Sequence, residues 1–289
     1  MGDPMRVVIT GAAGRLGTTV ASLFHAEGFD VVATDTAQPA DVDYRFEVAD
    51  LRQHEQASSV LTGARVVIHL GNHPGIGNTP PQVVFNENVT MNENVFQGAV
   101  EHGVEMVVFA STIQLIGSKP DLRTVVSPPA LPRFPVDGMT APVPANVYAL
   151  SKEVGEVMLR YYADRCGLCT VALRLPLLHH EEGHFSVDSG NESHDDIFEG
   201  FTGLTYADAA RLMLALVHTD LSGHHVLAAG TAHRHIEYSV SELIERFYPD
   251  VHPNIDDLIN LDAVQSLTGW CPSPVQWRNP AYIVEQQGG

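Results

Sequence analysis

Lysine is nearly missing from this 289-residue chain, with only Lys119 and Lys152 present. Lysine and arginine together number 16 against 35 aspartates and glutamates, for a formal charge of -19. A surface so short of cations repels phosphate, which excludes nucleic acid and anionic membrane as partners. The acidic skin itself reads as a solubility device. Cysteine is scarce too, with Cys166, Cys169 and Cys271. An odd, small number suits a reducing compartment rather than a disulfide framework. Cys166-Gly-Leu-Cys169 has redox spacing. It falls where a helix should end at Gly167, however, and it reads as two small buried residues rather than an exposed reactive pair. No run of about 18 uncharged apolar residues occurs, so no membrane span is expected. The opening residues lack the basic, apolar and small-residue sections of a signal peptide, and the expectation is a cytoplasmic protein.

Apolar residues are plentiful at 44%, enough for a proper core. The length suits one large domain, or a large domain with a smaller lobe. Residues 6–10, Arg-Val-Val-Ile-Thr, read as a buried strand closed by glycine. Thr10-Gly11-Ala12-Ala13-Gly14-Arg15-Leu16-Gly17 follows, then a helix to Glu27, then a second strand from Asp30 to Thr34 closing on Asp35. The glycines let the backbone turn sharply and approach a pyrophosphate, and the helix N-terminus offers that anion free N–H groups. Asp35 stands 18 residues beyond Gly17, close to the spacing of about 20 for a carboxylate on an adenosine ribose diol. The same carboxylate repels a 2′-phosphate, and Thr36-Ala37-Gln38 supply no arginine to receive one, so the pattern selects NAD over NADP.

Strand and helix signals keep alternating. Strands are expected at Tyr44–Val48, Arg65–Leu70, Met106–Ala110, Leu168–Leu175 and His225–Ala229. Helices are expected at Gln56–Leu61, Phe85–Glu101, Tyr206–Val217, Ser239–Phe247 and Leu261–Leu267. The serine opening the Ser239 helix has Glu242 three residues later, a capping box. This rhythm predicts an α/β fold: a doubly wound, Rossmann-type parallel sheet with a smaller C-terminal α/β substrate lobe and ligands at the carboxyl ends of the strands. Residues 1–176 form the NAD-binding domain and 177–289 mainly the substrate lobe, with the helix and strand near 205–230 returning to the sheet. His69 lies at a strand end and reads as a partnered structural histidine. Ser111-Thr112 should stand just after a strand, where their hydroxyls either cap the chain or bind a substrate oxygen.

Asn146-Val147-Tyr148-Ala149-Leu150-Ser151-Lys152 opens a further helix running to about Arg165. Residues four apart share a helix face, so Tyr148 and Lys152 point into one space. A free tyrosine titrates near about 10, and a cation held close favours its phenolate. The pair can then take a proton from an alcohol or return one to a carbonyl. Residues 118–145 are proline-rich and aperiodic, as a lid over a site would be. Residues 177–200 hold His179, His180, His184 and His194 among seven acids. With no compact ligand set on a regular element, they read as a solvated substrate loop and not a metal site.

Thr10-Gly11-x-x-Gly14-x-x-Gly17, Asp35, Asp50-Leu51, Ser111-Thr112 and Tyr148-x-x-x-Lys152, in this order, resemble the extended short-chain dehydrogenase/reductases. Within them the chain is similar to the NAD-dependent epimerase/dehydratase family, with Arg174-Leu175-Pro176, Tyr206-x-Asp208-Ala209-Ala210 and Tyr238-Ser239-Val240 as supporting matches. The resemblance implies a catalytic set of Tyr148, Lys152, Thr112 and Ser111. It implies a cofactor-binding set of Gly11, Ala13, Gly14, Arg15, Leu16, Gly17, Asp35, Asp50, Leu51, Leu70, Gly71 and Asn88, shared with Tyr148 and Lys152. It also implies a homodimer through the helices near 86–101 and 148–165. Ile113-Gln114 stand where dehydratases of the family carry Asp-Glu, so dehydration is not expected. His69-Leu70-Gly71 and Leu115-Ile116-Gly117 look closer to the uronate dehydrogenase branch than to the epimerases. No Lys or Arg occurs from Leu175 to Ala210, and beyond it only Arg211, Arg234, Arg246 and Arg278 remain. A nucleotide sugar's pyrophosphate normally meets such cations, so a smaller, less charged substrate is expected. The expected activity is hydride transfer between NAD and a sugar or sugar-acid secondary alcohol. The alternatives are a sugar epimerase that retains its NAD and a non-catalytic NAD-sensing regulator.

Overall fold

The computed structural model describes residues 4–75, 77, 79–117, 133–180, 200–231, 239–248, 251 and 255–273. Nine strands are described: β1 Arg6–Thr10, β2 Asp30–Asp35, β3 Arg45–Val48, β4 Val66–His69, β5 Met106–Thr112, β6 Cys169–Leu175, β7 Leu177–His179, β8 Gly203–Thr205 and β9 His224–Ala228. The α-helices are α1 Arg15–Ala26, α2 His54–Val60, α3 Pro81–Glu101, α4 Val147–Cys166, α5 Tyr206–Val217, α6 Val240–Phe247 and α7 Asp262–Thr268. Seven strands form one parallel sheet in the order β3-β2-β1-β4-β5-β6-β9. The order reverses between β1 and β4, and the crevice at that switch point is where such sheets hold ligands.

Alternation along each strand builds two cores. Val7, Ile9, Val31, Ala33, Ile68 and Val108 face α1 and α5. Val8, Val32, Val67, Val107 and Phe109 face α2, α3 and α4. Near-continuous apolar strands are what a sheet covered on both faces requires. α1 buries Gly17, Val20, Ala21 and Phe24, one stripe at helical spacing. α5 lies beside α1, and α4 lies beside α3. Away from the main sheet, β7 pairs with β8, and Phe201, Leu243, Ile244, Tyr248 and Leu258 close a small separate core. Ser239 caps α6 through the expected box with Glu242.

Three readings need correction. β5 runs on through Ser111 and Thr112, which pair with Arg174 and Leu175 of β6. Both hydroxyl residues are buried inside the strand because each finds a hydrogen-bond partner there. β7 follows Pro176 directly, where no strand was expected. Cys169 is buried in β6, but Cys166, in the last turn of α4, is exposed, so the two cysteines are not a buried pair. Lys119, His184, His194, Arg234, Tyr238, Arg278 and the proline cluster at 127–132 lie outside the described residues.

Candidate active site

The carboxyl ends of the central strands surround a cavity of about 820 Å3, within the range of small-molecule and cofactor sites. Gly11, Gly14, Arg15, Leu16 and Gly17 line one end, with Asp35 beside them. Gly11 sits at φ +68°, a conformation that side chains rarely adopt, and a Cβ there would meet the Leu70 carbonyl carbon at 2.7 Å. A Cβ on Gly17 would lie 2.7 Å from the Ala12 Cα. The turn is therefore closed to side chains, leaving bare backbone and the start of α1 facing the cavity. That arrangement fits a pyrophosphate. The Asp35 carboxylate is held by the backbone N–H groups of Ala13 at 3.0 Å and Thr36 at 2.7 Å.

Asp50, Leu51, Leu70 and Gly71 also line the cavity. Ala13 and Asn88 do not. The Ala13 N–H is taken by Asp35. Asn88 is fully buried: its Oδ1 accepts from the His73 N–H at 2.8 Å and its Nδ2 donates to Ser151 Oγ at 3.0 Å. It ties the loop after β4 to α4 rather than facing a ligand. A cation, Arg52, also lines the cavity, and no motif in the sequence marks it. Arg52 binds both oxygens of Asp50 and also Glu87, whose other oxygen pairs with His73 at 2.7 Å. These charge-assisted contacts hold the Asp50 and Glu87 carboxyls below their usual range. The chain of four side chains joins the loop after β3, α3 and the loop after β4, and spacing along the sequence carries no sign of it.

Tyr148, Lys152, Thr112 and Ser111 line the other part of the same cavity. Asn146 caps α4 by accepting from the Ala149 N–H at 2.8 Å, which sets the helix running with Tyr148 in its first turn. Tyr148, Lys152 and Glu156 then fall on the buried stripe of α4. The Lys152 ammonium lies 5.8 Å from the Tyr148 ring centroid and 4.7 Å from that of Phe109. Lys152 is only 3% exposed, and burial pushes its ammonium down to about 7. Two oxygens work against that by favouring the charged form, the Asn72 Oδ1 and the Ala110 carbonyl, each accepting at 2.8 Å. Thr112 Oγ1 accepts from the Gln114 N–H at 3.2 Å, which leaves its own hydrogen to donate.

Ser111 is differently placed. Its hydroxyl donates to Glu156 Oε1 at 2.6 Å, and Glu156 holds Arg174 through both oxygens at 3.0 and 2.8 Å. Arg174 also donates to the Thr140 carbonyl at 2.6 Å. A buried ion pair needs such extra hydrogen bonds to offset desolvation. Ser111 thus spends its proton anchoring β5 to α4 and β6 beside the cavity.

His69 is fully buried with both ring nitrogens partnered, as expected. Thr10 Oγ1 accepts from the N–H groups of Leu70 and Gly71, so it donates to His69 Nδ1 at 2.7 Å. His69 Nε2 then carries the hydrogen given to Asn92 Oδ1 at 3.0 Å. Burial, with Lys152 nearby, pushes this imidazole down to about 3, so it is neutral.

Comparison with known proteins bears on the family and the fold. The model of the NAD dependent epimerase/dehydratase family matches residues 7–187. The NAD-dependent glucose-6-phosphate dehydrogenase of Haloferax volcanii is 31% identical over 181 residues, covering 58% of this chain and 67% of the relative. The uronate dehydrogenase of Pseudomonas syringae pv. tomato is 26% identical over 226 residues, covering 77% and 73%. Among solved structures, a UDP-galactose 4-epimerase aligns with a TM-score of 0.69 at 23% identity over 94% of both chains, which shows the shared fold. The family match spans residues 7–187, and the glycine turn, Asp35 and the Tyr-Lys pair line one cavity: the chain belongs to the NAD dependent epimerase/dehydratase family of enzymes.

Proposed function

We propose that this enzyme is a dehydrogenase of sugars or sugar acids that oxidises one secondary hydroxyl and uses NAD. The reading is carried by one observation: Tyr148, Lys152 and Thr112 line the same cavity as the glycine turn and Asp35. The backbone from Gly11 to Gly17 would hold the pyrophosphate, and Asp35 the adenosine ribose. NAD, when bound, supplies a hydride acceptor. Tyr148 takes the hydroxyl proton, and Lys152 favours its phenolate by charge. Thr112 donates a hydrogen bond to the reacting oxygen and orients it.

An epimerase would use the same three side chains. The run from Leu175 to Ala210 without a lysine or arginine argues against a nucleotide sugar and for a small substrate of low charge. Leu177, Leu178 and Tyr206 also line the cavity. The test is a screen of sugars and sugar acids with NAD, read as NADH absorbance. Net NADH with at least one substrate is the expected result. Interconversion of epimers with no net NADH would replace this reading with the epimerase.

We further propose that the working form is a homodimer through α3 and α4. Leu150, Val157 and Tyr161 form one outward stripe on α4 and are 40%, 64% and 58% exposed. The occupant that fits it is the same stripe of a second copy, because a two-fold interface is self-complementary.

A further inference from the structure

We propose that Asn72, in the loop after β4, is a positioning residue that keeps the Lys152 ammonium charged and aimed into the catalytic end of the cavity. The inference rests on the Tyr148–Lys152 reading above. Asn72 is 80 residues from Lys152 in sequence, yet its Oδ1 accepts from Nζ at 2.8 Å. Its orientation is set locally, since Asn72 Nδ2 donates to the Gly71 carbonyl at 3.0 Å, so the amide presents its oxygen, not its NH2, to the lysine. Among the described residues it is the one side chain that hydrogen-bonds Lys152, the other acceptor being the Ala110 carbonyl.

The loop that carries Asn72 is itself stitched down on both sides. Thr10 Oγ1 takes the N–H groups of Leu70 and Gly71. Asn88 Oδ1 takes the N–H of His73 and passes the link to Ser151, whose hydroxyl donates to the Tyr148 carbonyl at 2.7 Å. The acceptor for Lys152 and the helix carrying Lys152 therefore share one hydrogen-bonded frame. Preorganised in this way, the oxygen needs no rearrangement to hold the charge.

The charges around Lys152 leave this role open. His69 of β4 is neutral and supplies no counter-ion. Glu156, one turn along α4, is engaged by Arg174 of β6 and by Ser111 of β5. Glu87 of α3 is engaged by Arg52 and His73. No carboxylate among the described residues pairs with the ammonium, so neutral oxygens must carry the work. Losing one of two acceptors around an ammonium that is itself buried favours the uncharged amine. Tyr148 then loses its cationic neighbour at a lower pH.

The composition supplies a direct probe, because the chain has only two lysines. Protein labelled with 13C at lysine Cε gives two resonances, and Lys119→Arg assigns them. Titrated by NMR, Asn72→Ala should move the Lys152 midpoint down by about 0.5–1 pH unit, while Asn72→Asp, which keeps an acceptor and adds charge, should move it up. With the best sugar from the NADH screen, Asn72→Ala should lower kcat about tenfold or more with a smaller change in the KM for NAD. A Lys152 midpoint unmoved by Asn72→Ala, in protein that melts like the wild type, overturns the proposal. If Asn72→Ala fails to fold, Asn72→Ser takes its place in the titration, and an unmoved midpoint there overturns the proposal equally. Lys152→Met separates the two levels. Full turnover in Lys152→Met sinks the Tyr–Lys reading itself, whereas loss of turnover there with unchanged Asn72→Ala sinks the role of Asn72 alone.

Discussion

His69 holds no proton to spare. Its Nδ1 accepts from Thr10 and its Nε2 donates to Asn92, and burial pushes the ring down to about 3. In the unfolded chain a histidine titrates near about 6.5. The folded value lies below the unfolded one, so the unfolded state binds the extra proton first. The stability that follows is whole above about pH 6.5 and drains as pH falls toward about 3, by roughly 1.4 kcal/mol per unit from this one ring. Urea unfolding of His69→Gln should show a shallower loss between pH 6.5 and 5 than the wild type, whatever its midpoint at pH 7. Equal slopes would mean that His69 takes up its proton in the folded state. Tyr148 belongs to the same scale. Tyr148→Phe keeps the ring and removes the acid/base group, and turnover should fall by about 10²–10⁴-fold with NAD binding largely retained. Unchanged kcat on an identified substrate would remove the phenol from the chemistry. The two residues of the Tyr–Lys pair are legible in the sequence because a helix turns a spacing of four into a shared face. Asn72 is not, because a contact across 80 residues leaves no periodic trace. Asn88 has the sequence position of a cofactor ligand, although its side chain is used wholly inside the protein.

At the scale of the element, α4 does two things on opposite faces. Its buried stripe carries Tyr148, Lys152 and Glu156. Its outer stripe carries Leu150, Val157 and Tyr161, large apolar groups left to water by this chain. If a second copy covers them, the double change Val157→Glu, Tyr161→Glu puts carboxylates into a closed interface with no partner for them. Sedimentation should then move from twice the chain mass to one chain mass, with the far-ultraviolet dichroism unchanged. A wild type that already sediments as a single chain would end the dimer proposal. The sheet is legible element by element because each central strand is a short apolar run closed by glycine or a polar end. The errors fall where that signal reverses. Ser111 and Thr112 look like the end of a strand because they are polar, yet β6 pairs with both. β7 is hidden behind Pro176, since three residues are too few to show a period.

For the whole molecule the governing quantity is charge. If every one of the 16 lysines and arginines paired with a carboxylate, 35 − 16 = 19 acids would remain without a cation. Several cations are already engaged, Arg6 with Asp30, Arg65 with Glu105 and Arg52 with both Asp50 and Glu87. These exposed pairs are each worth about 0–1 kcal/mol and weaken with salt. The repulsion among unpaired carboxylates is spread over the surface, and it opposes the compact state. Salt shortens its reach from about 30 Å at 0.01 M to about 3 Å at 1 M. The two effects have opposite signs, and the repulsion wins because acids outnumber bases by more than two to one. Thermal melting in potassium chloride should therefore rise steadily from about 0.01 to 1 M. A variant with eight exposed aspartates and glutamates changed to their amides should rise less, because it carries less repulsion to screen. Chloride is the salt of choice, since sulfate stabilises folded chains by exclusion whatever their charge. A melting temperature that falls with added chloride would mean that the few ion pairs outweigh the acidic surface.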